Sequence, residues 1–113
     1  MISKAFLHRS SRAFTAKIYA NAIDATKDVP DRSVITCGGF GLCGIPENIF
    51  SAIRHHGQKK LTWISDDANN NDEGIGTLIE GDQIDKYIGS YIGPCTKMLK
   101  KHGEGKIGIQ LMP

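Results

Sequence analysis

Four glycines within seven residues form the segment of this sequence that is best suited to bind an anion. Gly39, Gly41 and Gly44 match the pattern GxGxxG, which directly follows a short β-branched run and opens a helical segment. Glycines let backbone N–H groups approach an anion closely, and the N-terminus of the next helix adds partial positive charge. The loop therefore predicts a site for an anionic ligand such as a dinucleotide or another phosphate-bearing molecule.

An acidic pair after the next predicted strand fits one of these ligands. Asp66 and Asp67 follow residues 61–65, where a dinucleotide fold places the acid that binds ribose. Pro46 argues against that interpretation, because it suits the first turn of a helix and delays the helix until after the third glycine. No Gly-Lys-Ser/Thr follows, so the loop is not a P-loop. A tight strand-to-helix turn without a ligand is a third interpretation.

The remaining acidic residues and the cysteines do not form a recognisable metal or disulfide site. The acidic loop continues to Asp72 and Glu73, but it lacks EF-hand spacing, and we predict a solvated loop without a metal site. The cysteines are odd in number and form no CxxC pair, which argues against a disulfide framework or a zinc site. We expect free thiols, with Cys37 and Cys43 as small packing residues.

The elements that position these loops alternate between helix and strand. Hydrophobic periodicity, glycine and proline predict helices over 20–29, 46–56, 77–80 and 95–102, and strands over 33–37, 61–65, 87–92 and 106–111. Continuous apolar strands between helices predict an α/β fold with an open, mostly parallel sheet, flanking helices and coverage of both faces. Trp63, within a predicted strand, is expected in the core.

Length and composition indicate one small globular domain. The chain has 113 residues, of which 40% are hydrophobic and 23% charged, so disorder is not indicated. No apolar run approaches the roughly 20 residues of a membrane helix. The net charge of +2 arises within residues 1–23, and the remainder has no basic patch, so we expect neither a membrane nor a nucleic acid as partner.

The first 14 residues have the composition of a mitochondrial transit peptide. They contain arginine and serine, lack acids, and have no continuous apolar core of a secretory signal. Arg12-Ala13-Phe14 before Thr15 is similar to a matrix-protease cleavage site. We predict a transit peptide over residues 1–14, a domain over residues 15–113, and location in the mitochondrial matrix.

The complete loop string, GGFGLCGIPEN, is more specific than its three glycines. It closely resembles the signature of the family I CoA-transferases, and the resemblance extends from about residue 17 to residue 113. It implies the N-terminal part of a CoA-transferase domain. The residues that it assigns to the substrate and oxyanion region are Gly38, Gly39, Phe40, Gly41, Gly44, Pro46, Asp66, Asp67 and Ala68.

The resemblance also implies a reaction. CoA passes from succinyl-CoA to acetoacetate, a 3-oxoacid, in ketone body catabolism, with coenzyme A as a substrate moiety and no covalently bound cofactor. In that family a glutamate attacks the acyl-CoA, forming an acyl–glutamyl anhydride and then a glutamyl–CoA thioester. Each tetrahedral step needs hydrogen-bond donors aimed at the oxyanion.

Two departures from the family pattern affect activity. The family nucleophile stands in a Glu-Asn-Gly context, and none of the four glutamates here is followed by Asn-Gly, so we assign no catalytic residue. The family string Ser-Asn-Asn-Ala-Gly is replaced by Ser65-Asp66-Asp67-Ala68-Asn69, which removes amide donors and adds two negative charges. We therefore expect a truncated or divergent member without activity alone.

Three roles are consistent with these observations. The chain is a CoA-transferase fragment, a binding module for a dinucleotide or CoA, or an interaction protein. As an interaction protein it would form a homodimer or pair with a full-length transferase. A partner chain that supplies Glu-Asn-Gly would favour pairing, and binding of NAD but not CoA would favour the module.

Overall fold

The computed structural model describes residues 16–113, and the predicted transit peptide lies outside them. Helices and strands alternate along the described chain. The helices are α1 (Ala22–Thr26), α2 (Glu47–His56), α3 (Ile75–Glu80) and α4 (Thr96–Gly103), and the strands are β1 (Val34–Thr36), β2 (Leu61–Ile64), β3 (Ile84–Gly89) and β4 (Gly108–Leu111). None of the described helices has the length and apolar character needed to cross a bilayer.

The four strands form one sheet in the order β1-β2-β3-β4, and every neighbouring pair is parallel. One helix connects each strand to the next, as parallel pairing requires. The prediction of an α/β fold with an open parallel sheet and flanking helices is confirmed. The carboxyl ends of all four strands lie at the same edge, so the loops after β1 and β2 are neighbours.

The core lies between one face of the sheet and the helices. Ile35, Trp63, Tyr87 and Ile109 are paired in register across the four strands and point to this face. Trp63 is buried and its ring centroid lies 4.8 Å from that of Phe50, which confirms its predicted place in the core. The helical residues buried against this row are Phe50, Ile53, Ile75, Leu78, Ile79 and Met98.

The prediction that helices cover both faces is wrong for the described residues. Strand order follows chain order, and crossovers between parallel strands are right-handed, so the connecting helices α2, α3 and α4 all lie on one face. On the other face Val34 is 65% exposed, and Thr36 and Gln110 are exposed as well. Strand β1 is therefore an edge strand with one open face rather than a buried one.

Element boundaries follow the local chemistry at most positions. Helix α2 begins after Pro46 and ends at Gly57, which adopts a left-handed φ of 74° and donates its N–H to Ile53 O. Strand β3 differs from prediction: it spans Ile84–Gly89 rather than residues 87–92. Asp85 and Lys86 interrupt the apolar pattern at the start of β3, which hides this part of the strand in the sequence. After Gly89 the chain leaves the strand, and Ser90 and Tyr91 donate hydrogen bonds to Asp66 O in the acidic loop.

Candidate functional site

The glycine loop closes as a tight turn at the carboxyl end of β1. Phe40 and Cys43 exchange two backbone hydrogen bonds of 3.0 Å across Gly41 and Leu42. The glycines of the pattern, Gly39, Gly41 and Gly44, have φ values of 119°, 58° and 74°, which favour glycine. A Cβ at Gly39 would also lie 2.6 Å from Ile45 Cγ2. Backbone conformation alone thus accounts for all three glycines.

The start of α2 does not match a dinucleotide site. The helix begins at Glu47, three residues after Gly44, and Pro46 occupies the N-cap position without a side-chain cap. The Glu47 N–H donates to Ile45 O at 3.0 Å. Its carboxylate in the first turn is favoured by the helix dipole and adds negative charge where a phosphate would bind. No described side chain caps the start of α2.

Asp67 joins the acidic loop to the glycine loop. Its side chain is buried, with 8% exposed. Oδ2 accepts the Gly41 N–H at 2.5 Å, and Oδ1 accepts the Asn69 N–H at 2.9 Å and Nδ2 at 3.0 Å. The neighbouring Asp66 is exposed. The two aspartates, adjacent in sequence, therefore occupy different environments.

Asn69 completes the connection, a role that sequence reasoning missed. Its Nδ2 donates to Gly41 O at 2.7 Å, and its Oδ1 accepts the Ile75 N–H at 3.2 Å. Asn69 has a φ of 53°, a left-handed conformation that asparagine adopts more readily than most other residues. Gly74 lies so close that an added Cβ would be 2.2 Å from Asn69 Oδ1. The replacement of a family glycine by a polar side chain was the available signal.

The end of β3 supports the acidic loop from its other side. Ala68 is fully buried and donates its N–H to Tyr91 O at 3.0 Å, while Asp66 O accepts the N–H groups of Ser90 and Tyr91. The Tyr87 hydroxyl oxygen lies 3.4 Å from Ser65 O and 3.3 Å from Tyr91 O, and its single proton is shared between these two acceptors. Burial raises the pKa of Tyr87 to about 12, so this hydroxyl keeps its proton to a higher pH than an exposed tyrosine does.

An apolar rim and several backbone donors remain open at this edge. Phe40 is 76% exposed and Tyr91 is 59% exposed. Among the described residues, the amides of Gly38, Gly39, Leu42 and Gly44 have no acceptor, whereas those of Phe40, Gly41 and Cys43 do. Free amides beside apolar surface can bind the carbonyl oxygen of an acyl group. The predicted residues Gly38 to Pro46 and Asp66 to Ala68 thus lie together, but Asp67 and Ala68 face inward.

The acidic residues farther along the loop have other partners. Asp72 accepts from Lys97 Nζ at 3.2 Å, and the Glu73 carboxylate accepts from Asn70 at 2.6 Å. Within the described part of the chain, no group of three or more histidine, cysteine, aspartate or glutamate side chains could hold a metal ion.

The cysteines are free thiols, as predicted, but one placement differs. Cys95 is buried and Cys37 half-buried, and burial raises the pKa of both thiols. Cys43 is exposed, so its prediction as a packing residue is wrong. It closes the Phe40–Cys43 turn through its backbone, which leaves the side chain at the surface.

The lysines of α4, together with Lys106, Glu80 and Glu104, line a separate cavity of about 320 Å³. Three of the cavity's lysines are paired: Lys97 with Asp72 and Glu80, Lys101 with Asp82, and Lys106 with Glu104. The charge of this cavity is therefore largely neutralised, and no residue of the glycine loop lines it.

Comparison with known proteins matches this chain to coenzyme A transferases. The family model for Coenzyme A transferase matches residues 19–113. The chain is 34% identical over 104 residues to human mitochondrial succinyl-CoA:3-ketoacid coenzyme A transferase 2, covering 92% of this chain and 20% of that protein. It is 36% identical over 97 residues to one subunit of the probable succinyl-CoA:3-ketoacid coenzyme A transferase from Bacillus subtilis, covering 86% of this chain and 41% of that polypeptide.

A solved structure shares the fold. A variant of the decarboxylase AibA/AibB superposes with a TM-score of 0.69 and 17% identity, over 85% of this chain and 38% of that one. The chain thus spans about a fifth of the human relative and about two fifths of the bacterial one.

Proposed function

Because this chain belongs to the coenzyme A transferase family, and specifically resembles its family I members, we propose that it supplies the first substrate loop of a succinyl-CoA:3-oxoacid CoA-transferase. The observation that carries the proposal is the glycine loop, held by Asp67 and Asn69 at the carboxyl edge of the sheet with amide donors left free. Open α/β sheets bind ligands at this edge.

The substrate-binding residues divide into two groups under this proposal. The backbone of Gly38, Gly39 and Gly44 and the exposed ring of Phe40 face the acyl-CoA. Pro46 sets the start of α2 below them. Asp67 and Ala68 support the loop from behind, and Asp66 is the acid that a bound acyl group would meet. Coenzyme A is the substrate moiety that is transferred.

The nucleophilic carboxylate is proposed to come from another polypeptide segment. Glu80 and Glu104 form ion pairs with lysines, Glu73 bonds Asn70, and Glu47 lies in the first turn of α2. None of them stands in a Glu-Asn-Gly context. Because the Bacillus relative is named as one subunit of its enzyme, a second polypeptide that carries this motif is the partner that the proposal requires.

Location in the mitochondrial matrix belongs to the same proposal. The acid-free, arginine-containing residues 1–14 and the mitochondrial human and mouse relatives support it. Incubating the labelled chain with energised mitochondria would test it. We expect protease-protected product shortened near residue 15, and we expect no protection after the membrane potential is collapsed.

The activity is tested by mixing. The purified chain is assayed with succinyl-CoA and acetoacetate, alone and with the complementary subunit of the Bacillus enzyme plus the part of its matching subunit that lies beyond the aligned 97 residues. We expect acetoacetyl-CoA only in the mixture. Gly39→Ala should lower the mixed rate by roughly 100-fold, because its Cβ would displace the loop against Ile45.

A control variant distinguishes an effect on the glycine loop from an effect on folding of the whole chain. Gly57 also has a left-handed φ but no neighbour within 4 Å of an added Cβ, and it lies at the far end of α2. We expect the mixed rate of Gly57→Ala to stay near that of the wild type. A folded chain that gives no product in the mixture would contradict the proposed function, and binding of NAD but not CoA would favour the dinucleotide alternative.

A further inference from the structure

We propose that Asp67 is the positioning residue of the glycine loop and that it determines which loop amides face the ligand. The geometry is specific to a carboxylate. Oδ2 accepts the Gly41 N–H at 2.5 Å, and Oδ1 accepts two N–H groups of Asn69 at 2.9 and 3.0 Å. Both oxygens therefore act only as acceptors.

An asparagine at position 67 could not reproduce this arrangement. Its amide group would place N–H donors either against the Gly41 N–H or against the Asn69 N–H, whichever way it was turned. Hydrogen bonds to an ionised carboxylate are also shorter and stronger than those to a neutral amide. The departure from the family's asparagine thus fits the local structure, and it tightens the loop instead of only removing a donor.

Both polar backbone groups of Gly41 are engaged internally. Its N–H is bonded to Asp67 and its carbonyl accepts Asn69 Nδ2 at 2.7 Å. The loop amides without an acceptor among the described residues lie on either side, at Gly38, Gly39, Leu42 and Gly44. We therefore expect these flanking amides to bind the ligand, while the internal hydrogen bonds of Gly41 hold the turn in place. This second part rests on the proposed function, whereas the bond between Asp67 and Gly41 does not.

Asp66 provides a matched control within the same loop. It is adjacent in sequence, carries the same charge, and is exposed, with no side-chain hydrogen bond among the described residues. Asp66→Asn and Asp67→Asn therefore remove the same charge at neighbouring positions. They differ in whether the carboxylate contacts the glycine loop.

The test measures the loop amides by NMR in the full chain, labelled with both ¹³C and ¹⁵N. In the wild type we expect a coupling across the hydrogen bond from the Gly41 amide to the Asp67 carboxyl carbon. In Asp67→Asn we expect the Gly41 amide to exchange roughly 10- to 100-fold faster with solvent, the effect of losing one charge-assisted bond. In Asp66→Asn the exchange rate of Gly41 should stay within about twofold of the wild type.

Ligand binding is tested in the same samples with coenzyme A as the probe. We expect shifts at Gly38, Gly39, Leu42 and Gly44 in the wild type with little change at Gly41. A larger shift at Gly41 than at its neighbours, or equal acceleration of exchange in both variants, would overturn the inference. If coenzyme A shifts no loop amide, the proposed function fails while the exchange data still decide the role of Asp67. If Asp67→Asn does not fold, the wild-type coupling between the Gly41 amide and the Asp67 carboxyl carbon decides instead. The absence of that coupling would refute the role of Asp67.

Discussion

At the scale of single residues, Asn69 shows how one buried polar side chain determines the shape of two loops. Its amide bonds the carbonyl of Gly41 and its oxygen accepts the Ile75 N–H, so it ties the glycine loop to the start of α3. Each buried polar atom left without a partner costs about 1–3 kcal/mol. The space around it is equally constrained, because an added Cβ at Gly74 would overlap its side-chain oxygen.

This crowding gives a prediction for Gly74→Ala. Gly74 and Gly57 both adopt a left-handed φ, 58° and 74°, but only Gly74 has a neighbour within 4 Å. Gly57, with ψ of 25°, is in the left-handed helical region, where alanine costs about 1–2 kcal/mol. Gly74 has ψ of −131°, in a region of the backbone map that is essentially restricted to glycine, so alanine is strained more there. At Gly74 the overlap with Asn69 adds roughly 1–3 kcal/mol of overpacking. Urea unfolding should therefore show a larger loss for Gly74→Ala than for Gly57→Ala, and equal losses would contradict the close contact.

At the scale of elements, the topology was predictable from the sequence, but the coverage of the sheet was not. Alternating helices and apolar strands predicted the parallel sheet, and proline and glycine predicted the limits of α2. The order β1-β2-β3-β4 depends on pairing between distant segments, so the open face at Val34 could not be read from local patterns. For the same reason, the glycine and acidic loops were each identified, but their bond through Asp67 and Asn69 was not.

The elements also place the three thiols in different environments, which predicts their reactivity. Cys43 lies in the exposed turn, whereas Cys95 is buried just before α4, and burial raises its thiol pKa. The thiolate is the reactive form, so a raised pKa and poor access both slow modification. With a chromogenic disulfide at pH 8, we expect one fast thiol that Cys43→Ser removes. Cys95→Ser should leave the fast phase unchanged, and its loss there would refute the assignment.

At the scale of the whole molecule, the Tyr87 hydroxyl lies where the sheet, the acidic loop and the end of β3 meet. It contacts Ser65 O and Tyr91 O, and burial raises its pKa from 10.0 to about 12. The folded state therefore keeps its proton after the unfolded chain has released it. Because stability falls with pH wherever the folded state binds more protons, this group destabilises the fold as pH rises from about 10 to 12.

Tyr87→Phe tests this dependence directly. Near pH 8 the variant should be less stable than the wild type by about 0.5–1.5 kcal/mol, because it loses the hydroxyl's hydrogen bonds. Between pH 8 and 11 the difference should shrink, since only the wild type has a phenol to ionise. The raised pKa values of Lys97 and Lys106 also lower stability in this range, but these lysines remain in both proteins and cancel in the difference. Urea unfolding of the wild type and Tyr87→Phe at pH 8, 10 and 11 measures this difference in stability. Parallel curves would mean that Tyr87 ionises as easily in the folded chain as in the unfolded one, and that its junction with Ser65 and Tyr91 is open to water.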